Sequence, residues 1–197
     1  MTDARRTPDP VADVRRLPPD AAVIFRHYEL TPPSRLALAR ILRAATLARG
    51  VKLLIADDMA LALAVRADGL HLSERRLRGP VAHLRRRPGW LVTAAAHSAP
   101  ALRRAADAGV SAALLSPVFP TLSHPGAPSL GPLRFAALVR ASGQPVYALG
   151  GVHAGNVRRL RGCGAAGIAA IGGLTRATPQ LSLSVEDIAR ADFQSFA

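Results

Sequence analysis

The chain has 197 residues, of which 49% are hydrophobic and 20% are charged. This length and composition predict one folded domain over residues 1–197, and they exclude a chain that is disordered throughout. No window approaches about 18 uncharged apolar residues, so no membrane span is predicted, and the polar N-terminus does not resemble a secretory signal peptide. We therefore expect a cytoplasmic protein with no membrane partner.

The formal net charge of +13 raises the question of nucleic-acid binding. The cations are almost all arginines scattered along predicted helices, and aromatic residues make up only 4% of the chain. RNA-binding modules place stacking aromatics among their basic residues, and that pattern is not present. We expect a solvated basic surface and no nucleic-acid partner. The pattern carries no indication of an oligomeric state.

Short apolar, β-branched runs alternate with segments of helical period along the chain. The runs are continuously apolar, as expected for parallel strands that are buried on both faces. Seven runs predict strands, at 21–30 (its first part), 51–58, 69–72, 90–96, 111–119, 145–151 and 166–173. Helices are predicted at 10–17, 33–50, 59–68, 74–87 (mostly helix, with an interruption at Gly79–Pro80), 98–109, 132–142, 154–164 and 184–197. This alternation suits a (β/α)8 barrel or an open doubly wound sheet.

Polar residues follow the predicted strands, where parallel barrels place their active sites. Arg26 follows the first strand, and its apolar neighbours favour an anion clamp over a surface charge. Asp57 and Asp58 follow the second strand, and they could either hold a metal ion or cap the next helix. His71 and His97 follow later strands, and we expect both to be hydrogen-bonded packing residues. The lone Cys163 is expected to be a small buried residue.

Two glycine pairs end the last two predicted strands, Gly150–Gly151 and Gly172–Gly173, and Ile171 precedes the second pair. In many barrels the last two strand–helix loops bind phosphate through backbone N–H groups, and glycine lets the backbone approach the anion. The pairs therefore indicate a phosphate site. The alternative is that they only terminate strands.

Four stretches in combination resemble the thiamine phosphate synthase family. "SPVFPTLSHPGAPSLG" (116–131) and "PVYALGGVHAGNVRRLRGCGAAGIAAIGGL" are similar to the family's G-P-(V/I)-F-P-T-x-T-K loop and its last two strands. "LLIADDMALALAVRADGLHL" resembles the I-I-N-D stretch that continues to A-D-G-(V/I)-H-L, and "VIFRHYEL" resembles the Q-x-R-x-K strand. The resemblance covers residues 21–175.

The resemblance implies a (β/α)8 TIM-type barrel enzyme of thiamine biosynthesis. Such an enzyme joins the hydroxymethylpyrimidine of its diphosphate to a thiazole phosphate and releases pyrophosphate with Mg²⁺, so its ligands are small phosphorylated heterocycles. The hydroxyl-rich loop would cradle the diphosphate, and glycine N–H groups would hold the thiazole phosphate. The implied catalytic residues are Arg26, Asp57 (also the metal ligand), Thr121, Ser123 and His124. The implied phosphate-binding residues are Gly150, Gly151, Ile171, Gly172 and Gly173.

Several family positions carry other residues in this chain. The family's second metal-binding Asp is Arg76, whose charge could partly replace the cation. Ala56, Ile24, Tyr28, His124 and Ala95 replace the family's Asn, Gln, Lys, Lys and Ser, respectively. These changes leave open a divergent enzyme that acts on another phosphorylated heterocycle, and also a non-catalytic or divergent binder of phosphorylated thiamine precursors. The related thiazole tautomerases have a catalytic His where this chain has Pro117, which lowers the case for that activity.

A count of seven strands leaves an eight-stranded barrel one strand short at its start. Only the helix-like segment 10–17 precedes the first predicted strand, and Met1–Asp3 resembles the end of the family's first strand. We therefore expect that about one strand, roughly five to ten apolar residues, lies upstream of Met1.

Overall fold

The computed structural model describes residues 1–79, 87–121, 126 and 128–171. Within these residues, seven strands pair in parallel and in chain order. They are β1 (Ala22–Phe25), β2 (Lys52–Ala56), β3 (Gly69–Leu72), β4 (Leu91–Ala96), β5 (Ala112–Leu115), β6 (Val146–Ala148) and β7 (Gly167–Ile168). All seven predicted strands are confirmed, within shorter bounds than most of the apolar runs suggested.

The described part of the chain has five α-helices, of which the first precedes β1 and the other four lie between strands. They are α1 (Pro10–Arg16), α2 (Pro32–Arg49), α3 (Met59–Ala64), α4 (Ala99–Asp107) and α5 (Gly131–Ser142). The Ser98 side chain accepts a hydrogen bond from the Ala101 N–H and so caps α4. Gly50, with a φ of 71°, ends α2 in the left-handed region. None of the described helices is both long and apolar enough to cross a membrane.

Two segments predicted as helices contain only short 3₁₀ turns among their described residues, Arg76–Arg78 and Val157–Leu160. The first turn ends where a glycine precedes a proline, and the residue before proline is sterically biased away from helix. The second ends just before Gly162, whose φ of 69° is incompatible with a continuing helix. Residues 80–86 and the predicted closing helix at 184–197 lie outside the described residues.

The sheet is buried on both faces, and neighbouring residues of one strand belong to different cores. Phe25 and Ile55 pack with helix residues in the large core. Ile24 and Leu54 belong to a smaller cluster that includes Leu114 of β5. This double burial explains why the strands are continuously apolar in sequence.

The two edge strands are linked through the first residues of the chain. The Thr2 N–H donates to the carbonyl of Ile24 in β1 at 2.9 Å. The amino group of Met1 donates to the carbonyl of Ala170, just after β7, at 2.7 Å. Because one dipeptide reaches both edges, the seven-stranded parallel sheet is curled. Closure into an eight-stranded barrel stays a prediction.

Candidate functional site

A cleft with a volume of ≈ 1460 Å³ lies over the carboxyl ends of the strands. Loops after all seven described strands contribute to it, because parallel strands all end on the same side of the sheet. Six residues predicted for the site line this cleft: Arg26, Asp57, Thr121, Gly150, Gly151 and Ile171. The volume exceeds the range of about 300–1,000 Å³ that is usual for one small ligand, so two small ligands can fit together.

Arg26 is held at the cleft by both of its backbone polar groups. Its N–H donates to the Thr2 Oγ1 at 3.0 Å, and its carbonyl accepts from the Arg35 Nε at 3.3 Å. Its guanidinium carbon lies 5.9 Å from the centre of the Tyr28 ring, within cation–π range. Among the described residues Arg26 makes no ion pair with a carboxylate. An arginine in this position is well suited to bind an anion.

The two acids after β2 make different contacts. The Asp58 carboxylate accepts a hydrogen bond from the Leu61 N–H at 2.9 Å and caps α3. Asp57 instead accepts from the Ser73 N–H through Oδ1 at 2.9 Å, and its φ of 54° lies in the left-handed region that aspartate tolerates. Capping, one of the two alternatives drawn from the sequence, therefore applies to Asp58. Asp57 is exposed and lines the cleft.

Arg35 joins the ends of β1 and β2, and the sequence analysis missed it. In addition to its bond to Arg26, it donates to the Asp58 Oδ2 at 2.6 Å and to the Ala56 carbonyl at 3.2 Å. Its side chain is only 13% exposed. It therefore fixes the two strand ends that carry Arg26 and Asp57. The sequence did contain a signal for Arg35. An arginine in the first turn of a predicted helix is disfavoured by the helix dipole, so its presence there indicates a specific partner.

His71 lies in β3 and is 4% exposed, with its Nδ1 2.9 Å from the Thr93 Oγ1. Burial lowers the pKa of His71 to about 4, and the charge of Arg26 acts in the same direction. The ring is therefore neutral near pH 7. The prediction of a hydrogen-bonded packing residue is confirmed for His71.

The lowered pKa of His71 leads to a prediction for stability in mild acid. The unfolded chain binds a proton at this residue below about pH 6.5, whereas the folded protein binds it only below about 4. The free energy of unfolding is therefore expected to fall as the pH decreases from about 6.5 to 4, by at most roughly 3 kcal/mol from this group. Urea unfolding at several pH values measures this loss.

A His71→Gln variant is the matched control for this pH series, because glutamine keeps a polar group beside Thr93 but does not titrate. Burial also lowers the pKa of His27, which acts with the same sign and is present in both proteins. The variant should lose less stability than the parent protein between pH 6.5 and 4. Equal losses in the two proteins would show that His71 is not the titrating group.

The Gly150–Gly151 pair packs against the loop that follows β5. A Cβ on Gly150 would lie 2.8 Å from the Pro117 Cα, and one on Gly151 would lie 2.3 Å from the Pro120 carbonyl oxygen. The φ angles of the pair are 88° and 68°. Neither N–H donates to a backbone acceptor among the described residues. A side chain at either position would clash with the loop, which explains why both residues are glycine. The N–H groups of Gly150 and Gly151 remain available as donors to an anion, and the phosphate site itself stays a prediction.

The hydroxyl-rich loop is described only in part. Thr121 lines the cleft, as does Pro117, the residue that stands in place of the tautomerase His. The predicted site residues Ser123, His124, Gly172 and Gly173 lie outside the described residues, and their roles stay predictions. Cys163 is buried, and burial raises the pKa of its thiol, as expected for a packing residue.

Glu74 engages two neighbours at the edge of the cleft. Its Oε2 is 2.8 Å from the His97 Nδ1, and its Oε1 accepts from the Arg104 Nη2 at 2.9 Å. The prediction for His97 is wrong in one respect, because its side chain is 53% exposed and not packed in a core. A histidine that follows a strand lies near solvent at the cleft edge, and its partner Glu74 could not be identified from the sequence.

The described acids do not assemble into a metal site. In this part of the chain no three His, Cys, Asp or Glu side chains are grouped so that they could hold a metal ion. Asp58 and Glu74 accept hydrogen bonds from Arg35 and Arg104, respectively. Mg²⁺ requires near-octahedral oxygen ligands and usually takes one or two carboxylates together with substrate phosphates. Asp57 could supply only one such carboxylate, and its Oδ1 already accepts from the Ser73 N–H.

Comparisons with known proteins identify the family. The family model described as thiamine monophosphate synthase matches residues 19–174. The thiamine-phosphate synthase of Levilactobacillus brevis is 36% identical over 149 residues, covering 74% of this chain and 69% of that protein. The enzyme of the same name from Chromobacterium violaceum is 35% identical over 179 residues, covering 85% of each. The solved structure of a thiamine phosphate pyrophosphorylase from Pyrococcus furiosus is 25% identical with a TM-score of 0.79, covering 96% of this chain and 92% of that one. The chain therefore belongs to the thiamine monophosphate synthase family.

Proposed function

We propose that this protein is a thiamine phosphate synthase, a transferase of thiamine biosynthesis. It joins the hydroxymethylpyrimidine group of its diphosphate to a thiazole phosphate and releases pyrophosphate. The observation that carries the proposal is that Arg26, Asp57, Thr121 and Gly150–Gly151 line one cleft, in a chain of this family. These residues come from four different loops, and the curled sheet brings them together.

The proposed reaction exchanges one bond for another. The C–O bond between the pyrimidine methylene and the diphosphate breaks, and its electron pair leaves with the diphosphate. The thiazole ring nitrogen supplies the pair for the new C–N bond. Negative charge develops on the leaving group, and Arg26 and Thr121 are the donors proposed to stabilise it. The N–H groups of Gly150 and Gly151 would hold the thiazole phosphate and orient its ring for attack.

The family also implies Mg²⁺, with Asp57 as its protein ligand. The arginine contacts of Asp58 and Glu74 leave a poor donor set for this ion. No step of the proposed reaction is therefore assigned to the metal.

The proposal is tested by incubating the full-length protein with hydroxymethylpyrimidine diphosphate and thiazole phosphate. Parallel reactions contain Mg²⁺ or EDTA, and thiamine phosphate is followed by mass spectrometry. We expect product that requires the protein and both substrates. If neither reaction yields product, the protein is not a thiamine phosphate synthase.

A binding protein for phosphorylated thiamine precursors is the second candidate. The observation that favours it is that Tyr28 and Ala95, which replace a Lys and a Ser of the family, both line the cleft. Isothermal titration with thiazole phosphate separates the two functions. Tight binding without product would favour the binding protein, whereas product formation excludes a purely non-catalytic role.

A further inference from the structure

Some charged residues of the cleft form ion pairs with other residues of the protein, and others do not. Two acids form ion pairs with arginines. The Asp58 Oδ2 lies 2.6 Å from the Arg35 Nη1, and the Glu74 Oε1 lies 2.9 Å from the Arg104 Nη2. Three arginines that line the cleft make no ion pair within the described residues: Arg5, Arg26 and Arg75. Two carboxylates of the cleft, Asp3 and Asp57, also make no ion pair within the described residues, so the arginines without an ion pair outnumber the acids without one.

Only Asp3 and Asp57 are left to attract a divalent cation among the described carboxylates of the cleft, and the Asp3 Oδ1 accepts from the Arg5 N–H at 3.1 Å. Asp57 uses its Oδ1 to accept from the Ser73 N–H. The position of the family's second acid is Arg76, and its neighbour Arg75 lines the cleft. Arginine repels a divalent cation and binds phosphate oxygens through a planar fork of N–H groups. The same region therefore disfavours Mg²⁺ and favours an anion.

We propose that this cleft binds a diphosphate directly through arginine side chains, chiefly Arg26, and backbone N–H groups, without requiring Mg²⁺. A guanidinium can form two parallel charge-assisted hydrogen bonds to phosphate oxygens, which replaces both the charge and part of the geometry that a metal would provide. That the diphosphate belongs to the pyrimidine substrate rests on the proposed function. Direct binding of the group itself does not.

The proposal is tested by isothermal titration of the full-length protein with inorganic pyrophosphate. We expect binding to one site in the presence of EDTA. Added Mg²⁺ should leave the affinity unchanged or lower it, because the ion forms a complex with free pyrophosphate. Binding that is absent in EDTA and present only with Mg²⁺ would overturn the proposal.

Two variants distinguish the cleft from the basic surface. Arg26→Ala should weaken pyrophosphate binding in EDTA by about 10- to 100-fold, the usual effect of losing a hydrogen bond to a charged group. Arg103→Ala is the matched control, because it removes the same charge from an exposed position of α4 that does not line the cleft. It should change the affinity less than twofold. Equal effects of the two variants would place the anion on the general surface and refute the proposal.

A substitution at Asp57 is expected to strengthen pyrophosphate binding, whereas Arg26→Ala is expected to weaken it. Asp57→Asn keeps an oxygen for the Ser73 N–H but removes a negative charge near the anion. It should strengthen pyrophosphate binding in EDTA, by about threefold for charges roughly 6 Å apart in water. If the variant instead weakens binding and does so only when Mg²⁺ is present, Asp57 is a metal ligand and the proposal is wrong.

Direct pyrophosphate binding and the proposed enzymatic activity can each be refuted without refuting the other. Thiamine phosphate formed only with Mg²⁺, together with no pyrophosphate binding in EDTA, would keep the enzyme and refute direct binding. Arg26-dependent pyrophosphate binding in EDTA without product formation would support direct binding and refute the enzyme.

Discussion

An Arg26→Ala variant is expected to lower the rate of thiamine phosphate formation by about 10²–10³-fold, the usual cost of removing one donor to a developing negative charge. The free energy of unfolding should change little, because both hydrogen bonds that Arg26 makes to Thr2 and Arg35 use its backbone. Steady-state kinetics measure the first effect, and urea unfolding measures the second.

Two further variants control this experiment. Arg26→Lys keeps the charge but not the planar fork of donors, so it should recover only part of the lost rate. Arg103→Ala removes an exposed arginine outside the cleft and should keep the full rate. Full activity in Arg26→Ala, or an equal loss in Arg103→Ala, would show that Arg26 has no specific role in the reaction.

The sequence predicted the sheet and the edge that carries the cleft because both depend on local patterns. Strands buried on both faces must be continuously apolar, so β2 and β5 could be recognised without knowledge of their partners. Parallel pairing then places every strand end on one side. Arg26 and Asp57 could be assigned to one cleft by that argument alone, and the structure brings them there.

The contacts that shape the cleft could not be predicted in the same way, because they join residues far apart in the chain. Arg35 donates a hydrogen bond to Asp58, which is 23 residues away in the sequence, and Arg104 donates one to Glu74, which is 30 residues away. No local pattern specifies such partners. The sequence therefore could not show which acids remain available to a metal, although it did show which family acid is replaced.

The contact between Gly151 and the loop after β5 has a large expected effect on stability. A Gly151→Ala variant must place a Cβ 2.3 Å from the Pro120 carbonyl oxygen and 2.7 Å from that of Phe119, at a φ of 68°. The left-handed backbone costs alanine about 1–2 kcal/mol, and overpacking adds about 1–3 kcal/mol. We expect the free energy of unfolding to fall by about 2–5 kcal/mol in urea unfolding.

Gly162→Ala is the matched control for Gly151→Ala, because its φ is 69° and no atom lies within 4 Å of the added Cβ. It should lose only the backbone part, about 1–2 kcal/mol, and keep its activity. The difference between the two variants measures the contact between the glycine pair and the loop. Because that loop includes Thr121 and borders the proposed phosphate site, Gly151→Ala should also weaken thiazole phosphate binding in isothermal titration. If the two variants lose the same stability and bind the ligand equally, the close approach of loop and glycine does not shape the cleft.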